Sequence, residues 1–210
     1  MNEFVSRGTG VMALAVGMSS LLAVAALILF FVGLFQGIPS LSPLGGLNDS
    51  LNALTSLLSA ALATALYPAL KRLIPRGSLL LLLCVWPGAG AVSYGSWLIF
   101  NGRSDLELSS YYYFVGNGLI GIWAWALNRS ARQQGVWRPG LAQLGMIASG
   151  FMMVGLLGLY GILSGFDGSG YSPLLLLSGI SYLGIGFLYP AWGIQLARWI
   201  LSIDHAMQRS

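Results

Sequence analysis

Five long stretches of this chain contain no Asp, Glu, Lys or Arg: residues 11–35, 51–70, 79–100, 111–127 and 141–163. A sixth stretch, 173–201, contains one, Arg198, near its end. About 20 mostly apolar residues are enough for a helix to cross about 30 Å of hydrocarbon. Inside lipid every backbone N–H and C=O must find its partner within the protein, which makes each stretch a helix. A membrane barrel would instead show short strands of alternating polarity, and these runs are apolar on every face. The expected fold is therefore all-α: one integral membrane domain, 1–210, built as a bundle of six transmembrane helices with short loops.

Composition closes off the main alternative. The chain has 210 residues, of which 56% are hydrophobic and 8% charged. A soluble domain carries about 25% charged residues, so there is too little charge here to cover a surface in water. The first apolar run, 11–35, is longer than the roughly 7–15 residues of a signal-peptide core, and no A-x-A site follows it. It is read as an uncleaved first helix.

Charge orients the bundle. Arg7, Lys71, Arg72, Arg76, Arg129, Arg132, Arg138, Arg198 and Arg209 fall on one side of a six-crossing chain, and Arg103 on the other. The acids lean the other way: Asp49, Asp105, Glu107 and Asp167 share the side of Arg103, while Glu3 and Asp204 lie on the basic side. Cytoplasmic loops carry the excess of Lys and Arg. Both termini are thus expected in the cytoplasm, with the chain multi-pass in the plasma (inner) membrane. The basic residues come in threes beside helix ends rather than in one long patch, so the partner they suit is anionic lipid and not nucleic acid.

Aromatic residues fit this frame as interfacial anchors. Trp97, Phe100 and the run Tyr111–Phe114 would mark the outer level, with Tyr171. Trp123, Trp125, Trp137 and Trp199 would mark the inner one. The loops are too short for a soluble module. The chain divides into three hairpins whose second helices end alike, as in Tyr67-Pro68-Ala69-Leu70 and Tyr189-Pro190-Ala191-Trp192. Both a faint triplication and the common look of a cytoplasmic helix end account for this.

Few residues offer chemistry. The single histidine, His205, lies in the C-terminal tail, and the single cysteine, Cys84, stands in an apolar run. No multidentate His/Cys metal site, His-ligated haem or Ser–His hydrolase can be assembled in the bundle from these. No lysine lies within a span, and no acid either, which speaks against a retinal Schiff base and an ion-coupled pump. No cofactor and no enzymatic activity are expected. Gly116-Asn117-Gly118-Leu119-Ile120-Gly121 matches GxGxxG, but it lies inside an apolar span rather than between a strand and a helix, so a dinucleotide reading fails. Asn48-Asp49-Ser50 has the form of a glycosylation sequon, although Asp49 or Ser50 is better read as the cap of the second helix. Asn128-Arg129-Ser130 has the same form on the cytoplasmic side.

Two groups of residues remain. Pro87 falls near the middle of the third helix, where it removes a backbone hydrogen bond and favours a kink. With Trp86, Ser93, Tyr94, Asn117 and Tyr182 it makes a candidate polar pocket or hinge, and Asn117 is expected to bond across to another helix. Gly155, Gly158, Gly161 and Gly165 form a candidate packing face, since small residues let membrane helices approach closely. From these the leading expectation is an accessory or scaffolding subunit that packs against other membrane subunits or a second copy of itself. The alternative is a transporter or binding protein for a neutral or apolar small molecule.

Overall fold

A computed structural model describes residues 6–101, 106–163 and 173–207. The described residues are helical almost throughout and contain no strand. They form six rods. The first is α1 (Arg7–Gln36). The second is α2 (Pro43–Ala65) continued by α3 (Tyr67–Leu73). The third and fourth are α4 (Ser78–Phe100) and α5 (Leu106–Gln133). The fifth joins α6 (Pro139–Val154) through a 3₁₀ turn to α7 (Gly158–Leu163). The sixth runs through α8 (Pro173–Gly179), α9 (Ser181–Leu183), a π-helical turn (Gly184–Leu188) and α10 (Tyr189–Met207).

Each rod packs beside the next in sequence, and the ring closes where α10 meets α1. Four rods are individually long and apolar enough to cross a membrane: α1, α4, Pro139–Leu163 and Pro173–Asp204. The bent second rod makes a fifth when taken as one span. The remaining rod, α5, is less apolar for a physical reason. Its neighbours enclose it, and Phe114, Gly116, Asn117, Ile120, Trp123, Leu127 and Asn128 are all buried. A helix covered by protein has less need of a lipid-soluble surface.

The break expected at Pro87 is absent. α4 runs through Pro87 without interruption, and Pro87 lies on its exposed face. The second rod bends instead, by 57° at Leu66. Pro68, two residues on, cannot donate to the carbonyl of Thr64, and its ring crowds that turn. In the sixth rod the wider π turn ends two residues before Pro190, where the regular ladder lacks a donor. The second helix also starts earlier than expected. Pro43 takes its first turn, where its missing N–H is no loss, so neither Asp49 nor Ser50 is the cap.

Several expected anchors are core residues instead. Tyr111, Phe114 and Trp123 are buried in the bundle. Trp97 and Phe100 do face outward. Trp125 is half-buried, and the Arg129 guanidinium lies 4.8 Å from its ring centre. Arg103, Asp105, Gly165, Asp167, Tyr171 and Arg209 lie outside the described residues. The GxGxxG glycines are packing positions: Gly116 faces α4, while Gly118 and Gly121 face Leu156, Ser149 and Met152 of the fifth rod.

Candidate binding cavity at the arginine-rich end

The six residues expected to form a polar pocket are dispersed. Trp86, Pro87 and Tyr94 lie on the outer face of α4, with Trp86 49% and Tyr94 46% exposed. Tyr94 stacks on Trp97 and meets Tyr112 edge-on. Ser93 is half-buried, its Oγ enclosed without a hydrogen-bond partner. Asn117 is buried, but its Nδ2 donates to the Tyr113 carbonyl of its own helix at 2.9 Å rather than across the bundle. Tyr182 stacks on Tyr113 with ring centres 5.4 Å apart and meets Phe114 edge-on. Of the six, Asn117 and Tyr182 each touch Tyr113, one at its carbonyl and the other at its ring.

That neighbourhood belongs to a polar seam which the sequence reading missed. Asn48, Asn52, Thr55 and Ser59 recur at spacings of four, three and four along α2, so they form one inward stripe. Asn52 Nδ2 donates to Asn48 Oδ1 at 3.2 Å, and Tyr113 Oη donates to Asn52 Oδ1 at 3.3 Å. Thr55 Oγ1 reaches Ser19 Oγ of α1 at 2.8 Å. Tyr189 Oη of α10 donates to Ser59 Oγ at 3.1 Å. Amides and hydroxyls at heptad-like spacing in an apolar run were the available signal. These groups bond to one another across α1, α2, α5 and α10, so the seam ties helices together.

The opposite end of the bundle collects the cations. Gly10 packs against Ile200 and Leu201, and Gln134 Nε2 donates to the Leu73 carbonyl at 3.1 Å. These contacts gather the start of α1, the end of α3, the α5–α6 turn and α10. Here the bend at Leu66 swings α3 away and leaves a cavity of about 270 Å³. Its floor is Leu66, Leu196 and Ile200, all buried. Ala69 and Leu73 of α3 form one wall, and Val136 and Trp137 of the α5–α6 turn form another. Gly135, in the left-handed region at φ 65°, reverses the chain there and lets Trp137 turn inward. Trp199 closes the side, and exposed Arg72 and Gln134 stand at the rim.

Behind the cavity lies an aromatic cluster. Trp192 is fully buried, stacks on Tyr189 at 5.3 Å, and contacts Trp123 and Trp137 at 6.4 and 6.3 Å between ring centres. Its indole N–H donates to Asn128 Oδ1 at 3.0 Å. Asn128 is fully buried, and Gly145 of α6 leaves room for its side chain. The cluster makes the inner wall rigid.

The described glycines of the expected packing face, Gly155, Gly158 and Gly161, are occupied within the chain. A Cβ on Gly155 would strike the Phe114 carbonyl, and one on Gly161 would lie 2.6 Å from the Tyr111 ring. Gly158 faces the same ring at 3.2 Å. Among the described residues no three His, Cys, Asp or Glu side chains come together. The cavity thus offers apolar surface, the rings of Trp137 and Trp199, and one arginine, Arg72, at its rim. The chain matches no protein-family model, no curated protein and no solved structure.

Proposed function

We propose that this chain is a non-catalytic, six-span protein of the plasma membrane that holds the apolar body of a small molecule or lipid in the cavity beneath Arg72. In this reading both termini lie in the cytoplasm, and the cavity lies at the inner leaflet. The observation that carries the reading is an unfilled volume of about 270 Å³ floored by Leu66, Leu196 and Ile200. An apolar cavity of about 150 Å³ stays dry and takes up benzene, so this one has ample room. The alternating rods and the gathering of exposed cations at one end support six crossings and this orientation.

Native mass spectrometry of protein released into mild detergent tests the proposal. Wild type should retain a small-molecule or lipid mass, and Ala69→Phe, which fills the cavity, should lose it. Wild type without any retained mass, and without uptake of an added apolar probe, would overturn the reading.

A scaffolding role is the second reading. It is favoured by the outward face of α4, where Gly90, with no atom near a would-be Cβ, lies between Trp86 and Tyr94. A small notch flanked by aromatics suits a helix of another subunit or of a second copy. Crosslinking in cells from Trp86 and Tyr94 that captures no second chain would dismiss it.

A further inference from the structure

The cavity walls are carried by the most basic segments of the chain. Arg72 lines the cavity itself; Lys71 and Arg76 lie within four residues of it in sequence, Arg132 and Arg138 stand before and after the lining residues Val136 and Trp137, and Arg198 falls between Leu196 and Trp199 on α10. All six are exposed, and the described acid at this end is Asp204. Resting on the reading of this cavity as a binding site, we infer that its occupant is an acyl chain with an anionic head, phosphate or carboxylate.

The inference follows from comparing three kinds of guest. A neutral apolar molecule gains from the floor of Leu66, Leu196 and Ile200 and nothing from the rim. A cationic amphiphile gains from the floor and is repelled at the rim. An anionic amphiphile gains from both, because guanidinium groups pair with phosphate and carboxylate oxygens through two parallel N–H donors. Size agrees. Scaled from the cavity that holds six-carbon benzene, the volume takes roughly ten carbons of a chain. The location agrees as well: on the inner-leaflet side, anionic headgroups meet such arginines at the depth where tryptophans lie.

Photolabelling of the full chain in phosphatidylcholine nanodiscs tests this. Four probes with a diazirine at the acyl terminus are compared: phosphatidylglycerol, a free fatty acid, phosphatidylcholine and monoacylglycerol. Label is mapped to the segments 66–73 and 196–200. The exposed leucines Leu79, Leu80 and Leu83 of α4 report ordinary lipid contact. The anionic probes should label the cavity segments, relative to α4, about fivefold more than the uncharged and zwitterionic ones, the effect of one basic residue at an anionic surface. Arg72→Gln with Arg138→Gln should erase that excess and leave α4 labelling unchanged. Should the double variant not fold, raised salt on wild type must shrink the excess instead.

An excess with phosphatidylglycerol alone identifies a membrane lipid, and an excess with the free acid alone identifies a fatty acid. Equal cavity labelling by all four probes, above the α4 reference, overturns the anionic head and leaves the binding site standing. No cavity labelling above the reference overturns both.

Discussion

Gly88 of α4 and Gly116 of α5 meet backbone to backbone. A Cβ on Gly88 would lie 2.6 Å from the Gly116 carbonyl oxygen, and a Cβ on Gly116 would strike the Gly88 carbonyl in return. Neither obstacle is the end of a flexible side chain, so the two helices must separate if either glycine gains a methyl group. Gly116→Ala is expected to destabilise the bundle by about 1–3 kcal/mol, the range for overpacking a tight contact. Gly90→Ala, on the open face of the same α4, should be neutral or stabilising by up to about 1 kcal/mol, from the better helix propensity of Ala. Unfolding in mixed micelles measures both. Equal effects of the two substitutions would refute the close crossing.

The hydrogen bond from Trp192 Nε1 to Asn128 Oδ1 joins α10 to α5 in a fully buried setting. Side-chain hydrogen bonds between membrane helices couple by about 0.6 kcal/mol on average and up to about 1.7. A double-mutant cycle with Trp192→Phe and Asn128→Leu should give a coupling toward the upper end, since no water competes there. A coupling indistinguishable from zero would show that the bond contributes only shape.

Gly155 and Gly161 decide between internal packing and a surface for partners. Their Cβ atoms would meet Phe114 and Tyr111 of the same chain. Gly155→Ala and Gly161→Ala should each lower the stability of the single chain by about 1–3 kcal/mol and leave its oligomeric mass unchanged. Loss of a bound subunit with single-chain stability intact would restore these glycines to an intermolecular role.

Orientation is open to labelling. With Cys84 replaced by Ser, a cysteine is introduced at exposed Ser50 or at exposed Arg132, at opposite ends of the bundle. An impermeant maleimide applied to intact cells should modify Ser50→Cys, and should reach Arg132→Cys only after permeabilisation. The reverse pattern would invert the bundle and move the cavity to the outer leaflet.

What the sequence determined by itself is the apolar, helical character of this protein and the number of rods among its described residues. Long stretches without charge allow the backbone no partner but its own, so 11–35, 79–100 and 141–163 had to be helices wherever they packed. The clustering of cations near alternate helix ends was equally local, because it needs only the order of the loops. Tertiary structure decided which face of each helix looks inward. Trp123 and Tyr111 read as anchors because an aromatic near a span end fits an interface equally well, and only neighbouring helices bury them. Trp86, Pro87 and Tyr94 read as a pocket because a polar atom in an apolar run asks for a partner, yet their face of α4 was left outside the ring. The cavity was hidden for the same reason. Leu66, Trp137 and Ile200 stand far apart along the chain, and a bend whose angle depends on packing brings them around one empty space.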